Sequence, residues 1–172
     1  MFLVFQGCYS AQTGFEWGWT TTRIEGRISS ETNGALPSNG FIVVRQYYSQ
    51  FVQFGTEAPL YYPVARVVFP DEDGKFLVTF DLKASKIDLT FVMSGYVMQN
   101  LSFQRQIGVG TLFYRAQMTK TAGWQDHLFV TVIPFLQQFI VEQRFQLAQA
   151  HQLFLGEWLE QEKGKYSPYP SS

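Results

Sequence analysis

Two short segments near the middle of the chain place an apolar residue at every second position. The apolar positions are Phe76, Val78, Phe80 and Leu82 in the first segment, and Ile87, Leu89, Phe91 and Met93 in the second. Successive side chains of a strand point to opposite faces, so this period of two predicts half-buried β-strands and not helices. We expect the core to contain Phe76, Val78, Phe80, Ile87, Leu89 and Phe91.

Further β-type segments flank this pair on both sides. With the two central strands, the predicted set covers residues 21–29, 41–48, 64–69, 75–82, 87–93, 96–105 and 109–119. Turn residues separate them, and Gly74 suits a position with positive φ. Seven short strands at this spacing are typical of an antiparallel sandwich. The sequence therefore predicts a mainly β domain over residues 21–119.

An aromatic segment interrupts this pattern between residues 49 and 63. It shows neither a helical nor a strand period, so we predict a long loop. The rings in and before it are Tyr47, Tyr48, Phe51, Phe54, Tyr61 and Tyr62. Exposed rings on a loop could stack on a carbohydrate or contact a protein partner. Alternatively, they fold back onto the domain, since large rings mostly bury.

The period changes to that of a helix after Gly123. One stripe, at steps of three and four, holds Leu136, Ile140, Gln143, Leu147, Ala150, Phe154 and Trp158. This predicts one long helix over residues 126–163, followed by a loose tail over 164–172. The helix starts either at Asp126 or near Pro134, which suits a first turn. A helix this long exceeds a typical strand, so we expect Phe154 and Trp158 to be either partly exposed or covered by another chain.

Three motifs occur in order along residues 23–103. They are Ile24-Glu25-Gly26-Arg27-Ile28, then Gly34-Ala35-Leu36-Pro37 before Phe41, and finally the turn Asp71-Glu72-Asp73-Gly74-Lys75-Phe76, with Asp88-Leu89-Thr90-Phe91 and Ser94-Gly95-Tyr96 after it. This order resembles the carboxypeptidase regulatory-like domain. The resemblance implies a seven-stranded antiparallel transthyretin-like sandwich. It covers about half the chain, and the aromatic segment and the long C-terminal helix depart from the family pattern. It also implies a non-catalytic module, often of secreted or envelope proteins, that stabilises larger assemblies.

The N-terminal residues 1–20 are interpreted as a signal remnant or tether. Gly7-Cys8 follows a short apolar run and is similar to the end of a bacterial lipoprotein signal, in which the cysteine carries the acyl chains. We therefore expect lipidation at Cys8 if translation starts upstream; a chance thiol is the alternative. The compartment predicted is the bacterial cell envelope, either periplasmic or anchored to the outer membrane.

No residue pattern indicates catalysis. The formal net charge of −1 does not favour nucleic acid, and His127 and His151 lack a paired zinc motif. Asp71, Glu72 and Asp73 are interpreted as an acidic turn and not as a calcium loop. We expect no metal, no cofactor and no enzymatic activity. The predicted function is contact with a protein partner or a second copy, and the alternative is a carbohydrate-binding module that uses residues 47–62.

Overall fold

The computed structural model describes residues 23–31, 39–51, 57–80, 84–104 and 110–166. Seven strands come first, and they are β1 (Arg23–Ser30), β2 (Gly40–Phe51), β3 (Glu57–Val68), β4 (Lys75–Thr79), β5 (Ala84–Met93), β6 (Gln99–Gln104) and β7 (Thr111–Met118). A helical region follows. It comprises α1 (Trp124–His127), a π-helical turn (Leu128–Val132), α2 (Ile133–Glu142) and α3 (Gln149–Gly164).

The strands form two sheets. One has the order β4-β1-β7 and the other β3-β2-β5-β6. The predicted mainly β fold with a helical C-terminal region is therefore confirmed. The expectation of antiparallel pairing throughout is wrong for one pair, because β1 and β7 run parallel. β7 enters the first sheet from β6 of the opposite sheet, and this crossover places it beside β1 in the same direction.

The first core lies between the two sheets. It buries five of the six residues predicted from the alternation, namely Phe76, Val78, Ile87, Leu89 and Phe91. Phe80 is the exception and is half-buried. The alternation continues past the end of β4 at Thr79, so Phe80 packs at the margin of the core.

A second core lies on the other side of the four-stranded sheet, under the helices. Phe41 and Val43 of β2 face it, whereas Ile42 and Val44 face the first core. The central strand is therefore buried on both faces. This explains why residues 41–44 form a continuous apolar run and do not alternate.

The predicted loop at residues 49–63 is wrong, because most of this segment is β-structure. β2 extends to Phe51 and β3 begins at Glu57, with Tyr48 opposite Leu60 and Phe51 opposite Glu57. A bulge near Tyr47 shifts the register. β3 is an edge strand, where prolines such as Pro59 and Pro63 are tolerated. Because prolines are otherwise rare in strands, the sequence did not indicate β-structure here.

The predicted single helix over residues 126–163 is also wrong in part. The helical region starts at Trp124, ten residues before Pro134, and it breaks between Glu142 and Gln149. Pro134 lies in the first turn of α2, directly after the π-helical turn. Proline has no N–H to donate to the preceding turn. The wider π-helical turn tolerates the loss of this hydrogen bond, so the helix continues past Pro134. The break folds α3 back over the same sheet.

Candidate contact surfaces

The outer face of the three-stranded sheet is open and carries both apolar and charged side chains. Side chains that point away from the sandwich include Leu77 of β4 and Phe113 of β7, which are 47% and 53% exposed. Together with the turn after β3, they line an open groove of about 860 Å³.

Three cations lie in register across this face. Arg27 of β1 pairs with Lys75 on one side and with Arg115 on the other. Like charges directly opposite each other destabilise a sheet. The charge of Lys75 is compensated by an ion pair with Asp73 at 3.0 Å. The Arg27 Nε donates a hydrogen bond to the backbone carbonyl of Asp73. No described carboxylate forms an ion pair with Arg115.

The next row across the sheet is apolar at both ends. Glu25 lies between Leu77 and Phe113 in the register, and it forms an ion pair with Arg23 of the same strand. The face therefore places a row with two apolar ends and a central carboxylate directly beside a cationic row. It is suited chemically to an anionic group flanked by an apolar side chain.

The acidic turn after β3 closes one end of the groove. The Asp71 carboxylate accepts hydrogen bonds from the backbone N–H groups of Asp73 and Lys75, and Gly74 has φ 75°, as the sequence predicted. The hydrogen bond from Lys75 lowers the pKa of the Asp73 carboxyl. Both carboxylates thus organise the turn.

The aromatic residues of the β2–β3 hairpin do not form an open platform where they are described. Tyr47 and Tyr48 are half-buried, and the Lys86 ammonium lies 4.9 Å from the ring centre of Tyr47. Burial, with a hydrogen bond to Asp88, raises the pKa of the Tyr47 hydroxyl to about 12. Phe54 and the side chains of Phe51, Tyr61 and Tyr62 lie outside the described part. The carbohydrate alternative gains no support from this geometry.

Phe154 and Trp158 contact their own sheet. Trp158 is only 2% exposed, and its ring meets that of Phe41 edge to face at 5.2 Å. Phe154 is half-buried between Phe41 and Phe69. The expectation that Trp158 is exposed or covered by another chain is wrong. The break before α3 brings this helix back onto the sheet, so its stripe does not overrun the domain.

A buried carboxylate on α3 joins several parts of the fold. Glu162 is fully buried and accepts from the Trp124 indole at 3.4 Å and from the Asn39 amide at 3.4 Å. Lys165 forms an ion pair with it, and the Ser94 hydroxyl lies 3.5 Å away. The group is partnered on each side by its own chain, which is typical of a structural role.

Both histidines also serve the fold. His127 accepts a hydrogen bond from the backbone N–H of Met98, and His151 accepts one from Val67. Across the described ranges, no group of three or more His, Cys, Asp or Glu side chains could hold a metal ion. In the same ranges, no helix has the length and apolar character needed to cross a bilayer.

Sequence reasoning missed the cationic row. Arg27, Lys75 and Arg115 are far apart in the chain, and the parallel β1–β7 pairing that aligns two of them has no local signal. Leu77, by contrast, was recognisable as lying on the face opposite Phe76. The alternation alone gave this assignment.

These features define a class of protein: a β-sandwich module with a helical layer on one sheet and an open face on the other. No family model matches the chain, and no curated protein is significantly similar to it in sequence. Among solved structures, it is similar to GBS52, the minor pilin of the Gram-positive pathogen Streptococcus agalactiae, with a TM-score of 0.36 and 14% identity. The match covers 60% of this chain and 46% of that chain. A likeness this distant carries no functional argument.

Proposed function

We propose that this chain is a non-catalytic, transthyretin-like module of the bacterial cell envelope that acts by binding another protein. The observation that carries the proposal is the open face of the three-stranded sheet. It combines exposed Leu77 and Phe113 with three cations in register along one groove. Aromatic and arginine side chains are enriched in protein interfaces, and contiguous exposed apolar surface often marks such sites.

The placement of the motif residues supports the transthyretin-like assignment. Gly26 lies in β1 directly against the ring of Phe76, so two of the quoted motifs meet in space. Tyr96, which ends the third motif, is buried in the first core. The strand order also differs from the immunoglobulin arrangement, because β1 pairs with β4 and β7 and not with β2. Residues 32–38, which hold the second motif, lie outside the described part.

The chemistry of the groove favours a partner with acidic side chains. A carboxylate placed between Arg27 and Arg115 would relieve the repulsion within the cationic row. An apolar side chain beside it would cover Leu77 and Phe113. Association driven in this way depends on ionic strength, since exposed charges are screened by salt.

The test is site-specific photo-crosslinking in the native host. A benzophenone amino acid replaces Phe113 in the groove, and a matched control replaces Leu153 of α3, which is 59% exposed. We expect Phe113 but not Leu153 to yield a crosslink to one defined protein. Arg115→Glu in the same chain should abolish the crosslink without lowering the melting temperature, because it places a carboxylate opposite Arg27. An absent crosslink, or one insensitive to Arg115→Glu, would contradict the proposal.

The proposed anchor is a lipid on Cys8, a residue outside the described part. Mass spectrometry of the protein from its native host should show an acylated N-terminal cysteine. Cys8→Ser should move the protein from the membrane fraction to the soluble fraction. An unmodified chain that retains Met1 would exclude the anchor while leaving the contact function untouched.

A further inference from the structure

The outward face of the helical region carries an exposed stripe that the fold does not use. Val130, Pro134, Gln137 and Val141 follow each other at steps of four, three and four, and all four are exposed. Val130 and Val141 are each 76% exposed, and Phe145, in the turn that follows, is 96% exposed. Residues at such steps share one face of a helix.

The opposite face of the same region is already buried. Val132, Leu136 and Phe139 pack in the second core. The outward side is therefore uncharged, whereas a surface helix normally turns charged residues outward. From Leu128 to Val141 the sequence contains no charged residue. A surface of this kind is unusual unless something covers it.

We propose that a second copy of this chain covers the stripe, so that the protein self-associates through its helical layer. Across a two-fold axis, the same patch faces itself, and any charge on it would meet its like. An uncharged stripe avoids that repulsion. Depletion of charge is also characteristic of the centre of protein interfaces.

The same composition disfavours the other occupants. A helix that lies on an anionic membrane carries lysine and arginine along its polar face, and this stripe has none. An acidic or basic partner would find no charge to pair with between Val130 and Val141. The neutral Gln137 amide is the polar group of the stripe, and an amide can both donate and accept across a two-fold axis.

The length of the stripe limits the affinity that we expect for the dimer. The helical part of the stripe, from Val130 to Val141, spans roughly 16 Å at about 1.5 Å per residue. A seam of that length and one helix wide is smaller than the ~800 Å² per partner of a standard interface. The dimer should therefore be weak and dissociate on dilution. Antiparallel copies would place their Gln137 side chains near the axis.

Sedimentation velocity over a range of concentrations tests the proposal. The unaltered protein should shift from monomer to dimer as its concentration rises. Val141→Glu should stay monomeric with an unchanged melting temperature, because the side chain is exposed. The control Leu153→Glu, on α3 and outside the stripe, should still dimerise. A protein that is monomeric at every concentration, or a Val141→Glu variant that dimerises, would overturn the proposal.

Cysteine crosslinking locates the seam. In a Cys8→Ser background, Gln137→Cys should form a disulfide-linked dimer faster than Gln125→Cys, an exposed glutamine of α1. Equal rates would exclude a seam centred on Gln137. Co-sedimentation with phosphatidylcholine vesicles, abolished by Val141→Glu, would assign the stripe to a membrane instead. Arg115→Glu should leave dimerisation unchanged, which separates this proposal from the contact function of the sheet face.

Discussion

Gly26 shows how neighbours across a sheet fix a single residue. A Cβ atom at this position would overlap the ring of Phe76 and lie 2.5 Å from the carbonyl oxygen of Tyr114. The ring could shift, but the carbonyl belongs to the backbone of β7. We predict that Gly26→Ala lowers the free energy of unfolding by about 1–3 kcal/mol, as overpacked sites do. Urea unfolding monitored by circular dichroism measures the change.

Gly156 is the matched control for this substitution. It lies within α3, and no atom beyond its chain neighbours and the backbone of its own helix lies within 4 Å of the position that a Cβ would take. Gly156→Ala should therefore raise the free energy of unfolding, by about 0.5–1 kcal/mol. Equal effects of the two substitutions would show that the close approach to β7 does not constrain Gly26.

The individual core residues were largely predictable from the sequence. Alternation identified Phe76, Val78 and Leu89 because a half-buried strand imposes a period of two on its composition. It placed half-buried Phe80 in the core, because the period does not show where the hydrogen bonding of β4 to its neighbouring strand ends. The cationic row could not be predicted from the sequence, because a residue's type does not show which distant strand pairs with its own.

At the scale of elements, the sequence predicted which helical residues are buried better than it predicted where the helices begin and end. Along the predicted stripe, Leu136, Gln143, Leu147 and Trp158 are all buried. The chain nevertheless breaks between Glu142 and Gln149, where neither glycine nor proline occurs. Tertiary packing therefore overrides local helix propensity here, because α3 buries more apolar surface against the sheet than it would as a straight extension.

The break is stabilised by one side chain in particular. The Gln152 amide donates to the carbonyl of Arg144 at 2.9 Å and to that of Leu147 at 2.7 Å. In a straight helix, these carbonyls would instead accept hydrogen bonds from backbone N–H groups of the following turn. We predict that Gln152→Ala lowers the free energy of unfolding by about 1–2 kcal/mol. Gln138→Ala, which removes only an exposed bond to Glu142, should change it by less than about 0.5 kcal/mol in the same urea titration.

At the scale of the whole molecule, the four-stranded sheet is shared by both cores. Phe41 and Val43 support the helical layer, while Ile42 and Val44 of the same strand support the sandwich. Neither layer can lose its packing without exposing a face of β2 to water. The sandwich and the helices should therefore unfold together, although the sequence presents them as two regions of different period.

Glu162 provides the sharpest test of this coupling. It joins α3 to Trp124 at the start of the helical region and to Asn39 beside β2. Glu162→Ala leaves the buried Trp124 indole N–H without this acceptor and removes the bond from exposed Asn39, so we predict a loss of about 1–3 kcal/mol in the free energy of unfolding. Glu162→Gln keeps an acceptor and loses only the ion pair with half-exposed Lys165, so its loss should be smaller. Because the layers share one sheet, tryptophan fluorescence and far-ultraviolet circular dichroism should report the same urea midpoint for both variants. Separate midpoints would mean that the helical layer detaches from a sandwich that stays folded without it.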